Sequence, residues 1–275
     1  RWAPLGRTWY DGLQIKVTKR FSHGLDFTSA FTWQKELMMG AEGVVGFGSS
    51  LSGTVNDVFN RPTNKYISQN SRPFTFYLSL NYTTPRFAGL PKALSWLMRD
   101  WTYGALLQYA SGMPITVPSA QTRLNSYLFR GTFANRVPGQ PFFVDRNGNA
   151  IDLNCNGCFD PYTDFVLNPK AWVDPPEGQF SYSPARYNDY RNRRAPLENM
   201  SLGRIFRITE KARLSLRADF QNIFNRNNYT VTTATNAAAV QVRNPTTGQT
   251  TSGFGYINTN GGSPRTGIIV ARVSF

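Results

Sequence analysis

The chain is short of the residues that most site chemistry needs. Across 275 residues there is one histidine, His23, and there are two cysteines, Cys155 and Cys158. A single imidazole removes most His-based acid–base catalysis and most zinc sites. Two thiols exclude a disulfide-dense mini-protein. Acidic residues are scarce, 16 against 30 Lys and Arg, which leaves a formal charge of +14. No apolar run reaches the ~18 residues of a membrane-crossing helix. Helical periodicity is nearly absent as well. The mean hydropathy of −0.39 would by itself suggest a soluble chain. Yet 40% of the residues are apolar and 14% aromatic, too many for a disordered one.

Period-2 alternation is what the sequence holds instead. Candidate strands cover residues 9–20, 25–35, 73–83, 101–117, 197–206 and 212–224, and a last one ends the chain. In the first, Leu13, Ile15 and Val17 take one side while Gln14, Lys16 and Thr18 take the other. In the third, Phe74, Phe76, Leu78, Leu80 and Tyr82 alternate with Thr75, Tyr77, Ser79 and Asn81. In the sixth, Leu214, Leu216, Ala218 and Phe220 alternate with Arg213, Ser215, Arg217 and Asp219.

The connections alternate too. Residues 21–24 and 207–211 are short turns, and 84–100 is intermediate, with a short helix expected near 94–98. Segments 36–72, 118–196 and 225–263 are long. Loops of that length are uncommon inside compact soluble domains. Short turns at one end and long loops at the other are the pattern of an outer-membrane β-barrel. Spanning strands need only about 9–11 residues with every second one facing lipid. Half-polar strands and solvated loops then explain the negative hydropathy. Aromatics gather toward strand ends (Trp9, Tyr10 and Phe21; Trp101, Tyr103 and Tyr109; Phe275), as interfacial girdles do.

The fold expected is therefore all-β, an antiparallel transmembrane β-barrel portion of about seven strands with long extracellular loops, located in the cell outer membrane. Bacterial barrels close with an even strand number and both termini in the periplasm. Seven strands, with the first entering from the long-loop side, lead us to expect a fragment. A chain opening on Arg1 rather than Met points the same way.

Five segments carry a resemblance: the opening "TWYDGLQIKVTKRFSHGLDFTSAFTWQKEL", then "YGALLQYASGMPITV", "LNPKAWVDPPEGQFSYSPARYNDYRNRR", "LENMSLGRIFRITEKARLSLRADFQNIFNRNNY" and the closing "GGSPRTGIIVARVSF". They resemble TonB-dependent receptors of the Oar-like type. The most specific stretch is "RxDFQNIFNRxNY", within residues 214–229. The resemblance covers nearly the whole chain. It implies a plugged barrel of about 22 strands, of which residues 1–275 would be the C-terminal part. It also implies an N-terminal plug, a TonB box and often a carboxypeptidase-regulatory-like domain, all absent from this sequence. The function implied is TonB-dependent transport of a large or scarce substrate across the outer membrane, with the substrate unknown.

Particular residues follow from these readings. Ile269, Ala271, Val273 and Phe275 look like the terminal signal read by the barrel assembly machinery, an edge strand with an aromatic anchor. Lys16, Arg213, Arg217 and Asp219 face the lumen by alternation. Lys19, on the lipid row, lies where it can snorkel. Arg186, Arg191, Arg193 and Arg194, interleaved with Tyr187 and Tyr190, form a basic run where a long loop re-enters the membrane. The run could meet lipopolysaccharide phosphates or an anionic substrate, or serve as a solvated loop base.

Cys155 and Cys158 in "NCNGC" lack the further ligands of a zinc site and the helix of a thioredoxin motif, so a small surface disulfide is expected. Asp145, Asn147 and Asn149 are spaced like calcium ligands, with Asp152, Asp160 and Asp164 following. Ala150 stands where such a loop needs glycine, and no glutamate closes it, so a turn-rich loop is expected with no metal and no cofactor. No nucleophile–base set is evident, and enzymatic activity is not expected.

The partners expected are outer-membrane lipid and lipopolysaccharide, the barrel assembly machinery, the TonB complex through the missing N-terminal region, and the transported substrate. Nucleic acid is not expected. The competing reading is a soluble basic β-domain that binds nucleic acid or other polyanions, which would bury its apolar rows in a closed core.

Overall fold

A computed structural model describes residues 6–39, 56–57, 59–85, 87, 89, 91–124, 131–209, 212–232, 236–259 and 263–275. Seven long strands build its main sheet. They are β1 (Arg7–Ser22), β2 (Leu25–Met39), β3 (Phe74–Thr83), β4 (Trp101–Ala110), β5 (Leu197–Arg207), β6 (Arg213–Gln221) and β7 (Thr266–Ser274). They lie side by side in chain order, each antiparallel to the next. A short strand, Lys65–Ile67, pairs with the far end of β2. A helix, α1 (Lys92–Met98), precedes β4.

Register sorts the side chains by polarity. Ile15, Phe31, Phe76 and Tyr109 are successive cross-strand partners, as are Val17, Ser29, Leu78 and Leu107. The opposite face carries the row Asp26, Asn81, Gly104, Ser201 and Asp219. There Asn81 Nδ2 donates to Asp26 Oδ2 at 3.0 Å. A slip of one residue would exchange the two faces of any strand, so the polarity of the rows fixes the pairing. The first hairpin supports it locally. His23 and Gly24 both have positive φ, 53° and 80°, the signature of a two-residue turn whose twist matches the strands. A Cβ at Gly24 would strike the Thr83 carbonyl of β3.

Among the described residues nothing covers the apolar face. Leu13, Ile15 and Val17 are about half exposed, at 50%, 49% and 51%. A soluble β-domain would bury such a row. The sheet is also open, because among the described residues β1 and β7 each pair on one side only.

Two strands are shorter than their alternation predicts. β4 stops at Ala110 instead of running on to 117. Pro114 has no N–H to offer a ladder, and the Gly112 carbonyl accepts from Arg191 instead of a strand partner. β6 stops at Gln221 because Asn222 turns the chain, with φ of 49° and its side chain bonded to the Arg226 and Ser263 carbonyls.

The buried core lies in the long connections, not under the sheet. Ile115, Val117, Phe133, Phe142, Leu167, Trp172 and Tyr190 come from the second, Tyr66 from the first and Phe254 from the third. The Tyr190 ring sits 4.8 Å from Phe142, 5.3 Å from Trp172 and 5.6 Å from Phe143. These loops are thus one packed body and not the separate solvated segments expected. Apolar runs such as Phe142-Phe143-Val144 and Phe165-Val166-Leu167 supply the driving force, since burying each large side chain is worth about 1.5–3 kcal/mol.

Candidate functional site

Polar ties weld the three connections together. Asn56 Nδ2 donates to the Ser183 carbonyl at 2.9 Å, joining the first loop to the second. Val231 N–H donates to Asn192 Oδ1 at 3.1 Å, joining the third to the second. Thr250 N–H reaches the Tyr162 carbonyl at 2.8 Å. Arg191 is the centre of this webbing. Its Nη1 donates to the carbonyls of Ser71 and Gly112, at 2.7 and 3.1 Å, and its Nε to that of Asn188 at 2.9 Å. Burial pulls the Arg191 guanidinium below its ordinary pKa, and the carbonyls hold its protons in place.

The basic run therefore divides. Arg186 is buried, donating to Thr116 Oγ1 and lying 5.7 Å from the Tyr66 ring. Arg191 is committed to the fold. Tyr190, between these two in the chain, is fully buried, and burial pushes its phenol up. Arg193 and Arg194 alone of the four reach a cleft of about 660 Å³. Arg226 joins them from the third loop, and residues 154–157 wall the cleft on another side. Cys155 and Cys158 are joined by a disulfide.

Neutral amides hold the two cleft arginines. Arg194 donates through its backbone N–H and Nε to Asn154 Oδ1, at 3.0 and 3.2 Å. Arg193 donates to Asn156 Oδ1 and lies 5.9 Å from the Tyr229 ring. Arg226 differs, since its Nε lies 2.6 Å from Glu198 Oε2, and this carboxylate raises the guanidinium further. Glu198 is only 2% exposed and also accepts from the Tyr109 hydroxyl at 2.9 Å. Its register partner is Leu107, so it stands at the loop end of the apolar face. The chemistry on offer is anion and hydroxyl recognition.

The other expected residues are dispersed. Lys16 faces the polar side in β1, opposite Ala30, far across the sheet from Arg213, Arg217 and Asp219 on β6. Arg217 and Asp219 pair at 2.9 Å. Ile269, Ala271 and Val273 lie on the apolar face of the edge strand β7, and Phe275 is fully exposed beyond it. Asp145 serves its own turn. Oδ1 accepts from the N–H groups of Asn147 and Asn149, both at 2.8 Å, and Oδ2 from Asn149 Nδ2 at 3.0 Å. Among the described residues no group of three or more His, Cys, Asp and Glu could hold a metal.

Aromatic belts mark both ends of the apolar face. At the loop end Phe31 and Phe74 stack at 6.4 Å. At the turn end Tyr82 and Tyr103 stack at 6.2 Å, and Arg204 lies over Trp96, Trp101 and Phe206 at 4.5, 5.2 and 5.0 Å. An exposed apolar band between aromatic belts, backed by a polar face, is the cross-section of a lipid-facing barrel wall. A family model described as an outer membrane beta barrel domain matches residues 1–267. The chain belongs to that family. No curated protein and no solved structure compared with it matches.

This domain is accordingly one of the outer membrane, and its exposed apolar face is the one suited to lipid. The cationic cleft lies at the loop end of that face. Glu198, Tyr109 and Arg226 as a set were not among the expected site residues. A signal for them exists in the alternation, because Glu198 shares parity with Met200 and Leu202. A carboxylate on a lipid row must have a partner.

Proposed function

We propose that this domain is the C-terminal wall of a TonB-dependent transport barrel of the Oar-like type. The observation that carries the reading is an open sheet of seven long strands with a polar inner face and two free edges. In hydrocarbon an unpaired strand edge leaves backbone groups unsatisfied, so both edges need partner strands. Added strands widen the lumen, and the widest such barrels are plugged transporters rather than open pores. The resemblance of residues 214–229 and of the closing strand to this receptor type adds the energised mechanism.

In this reading Lys16, Arg213, Arg217 and Asp219 line the lumen or touch a plug, and the welded loops form part of the ligand-selecting mouth. The terminal strand carries the assembly signal. TonB is engaged by a region upstream of residue 1, and no enzymatic step is assigned. The direct test is the gene upstream of the Arg1 codon, followed by crosslinking of the full-length protein to TonB in cells. A plug, a TonB box and a TonB adduct are expected. A full-length product without plug or box, or one that never contacts TonB, contradicts the proposal.

A further inference from the structure

The cleft has a chemistry and a position that transport does not require. Arg193 and Arg194 are oriented by the amide oxygens of Asn156 and Asn154, and neither makes an ion pair among the described residues. Glu198 matches the charge of Arg226. Two positive charges thus face the cleft without a carboxylate opposite them. Asn227, Asn228 and Asn225 line the remaining wall, giving amide donors and acceptors suited to hydroxyl groups. Tyr229 offers a ring beside Arg193. The volume of about 660 Å³ falls in the usual range for a small-ligand site.

Position selects the ligand. Tyr109 belongs to the apolar row by register with Phe76, and Tyr109 lines the cleft. Glu198, which holds Arg226, is on the same face. The cleft therefore adjoins the lipid-facing surface at its loop end, where Tyr109 borders it, with Ala110 of the opposite face also in its lining. Planar guanidinium forks match phosphate oxygens, and amides match sugar hydroxyls.

We propose that the cleft of Arg193, Arg194 and Arg226 binds the phosphorylated sugar headgroup of lipopolysaccharide in the outer leaflet. Arg193 and Arg194 take the phosphate, the asparagines take sugar hydroxyls, and the acyl chains run down the exposed apolar face. The Cys155–Cys158 disulfide fixes the wall that aims the two arginines. The inference rests on the outer-membrane location of the domain and is independent of TonB.

The test uses the full-length protein, purified from outer membranes in mild detergent, with retained lipopolysaccharide counted by mass spectrometry. The wild type retains it. The Arg193→Gln/Arg194→Gln variant loses retention by at least about tenfold, as expected when two charge-assisted partners are removed. Arg194→Lys keeps an intermediate amount. Delipidated wild type rebinds intact lipopolysaccharide but not its enzymatically dephosphorylated form, and millimolar inorganic phosphate does not displace it. Heat-modifiable gel mobility verifies folding of each variant. A folded double variant that retains lipopolysaccharide like the wild type overturns the proposal. So does equal binding of the dephosphorylated form, or full displacement by inorganic phosphate, which would make the site one for soluble anions. None of these readouts depends on transport.

Discussion

Arg226 Nε lies 2.6 Å from Glu198 Oε2, and this pair bolts the third loop to the loop end of the lipid-facing wall. Asn222 makes the pair possible. With φ of 49°, it reverses the chain just after β6, accepts from the Arg226 N–H at 2.8 Å and donates to the Arg226 carbonyl at 2.9 Å. The Tyr109 hydroxyl completes the set around Glu198.

Removing Glu198 should therefore loosen wall and loop together. Glu198→Ala lowers stability by about 1.5–3 kcal/mol, the range for a hydrogen bond to a charged group, and no more, because Arg226 is half exposed and can recover water. Arg226→Ala costs more, since it strands a buried carboxylate. The double variant is less damaging than the sum of the two. Thermal loss of the heat-modifiable gel band is the measurement, and strict additivity would contradict the coupling.

Arg191 is predicted to be structural, unlike its neighbours Arg193 and Arg194. Arg191→Ala leaves the Ser71, Gly112 and Asn188 carbonyls without their shared donor. Arg191→Lys does not restore it, because an ammonium cannot reproduce the fork. Limited proteolysis should cut loop 111–196 faster in both variants while the wall strands stay protected. Equal loop protection in wild type and variants would remove Arg191 from the webbing.

The turn at 145–149 is predicted to be acid-sensitive. Hydrogen bonds from the Asn149 side chain and from the Asn149, Asn147 and Gly148 N–H groups hold the Asp145 carboxyl below its ordinary value of 3.8. The folded turn thus prefers the ionised form. Its contribution is fully present above the unfolded value and is lost as pH falls through the lower, folded one. Amide exchange at Asn147 and Asn149, corrected for intrinsic pH dependence, should accelerate only below about pH 4. In Asp145→Ala it is already fast at neutral pH. Acceleration instead as pH rises would refute this assignment.

At the C-terminus, Phe275 is fully exposed at the end of an edge strand, a poor position for a residue whose role is packing. If it anchors strand pairing during assembly, Phe275→Ala reduces the amount of folded protein in the outer membrane several-fold. The thermal stability of the molecules that do assemble should hardly change. A fall in stability without a fall in yield would assign Phe275 to the folded wall instead.

Much of the wall was legible in the sequence because one rule governs it. Period-2 polarity, as in Leu13–Gln14–Ile15–Lys16, follows from lipid on one side and polar surroundings on the other, and the tight His23-Gly24 turn sets the first register. The ends of β4 and β6 were not legible. They depend on Gly112 meeting Arg191 and on the left-handed Asn222, which are contacts with distant loops. The loop body was hidden for a related reason. Tyr66, Tyr190 and Phe254 come together from three loops, and no local period records that packing. Composition alone could not separate the arginines either. Arg186 and Arg191 face carbonyls, a ring and a hydroxyl, whereas Arg193 and Arg194 face a cleft.

The central claim is that the apolar face of this sheet meets lipid. Nitroxide scanning of Leu78, Ser79, Leu80 and Asn81 in β3, each changed singly to Cys in the full-length protein in bilayers, tests it most directly. The claim requires a period of two. Labels at 78 and 80 should be relaxed by oxygen dissolved in the hydrocarbon, and labels at 79 and 81 should not. A flat profile, or oxygen relaxation strongest at 79 and 81, would contradict it.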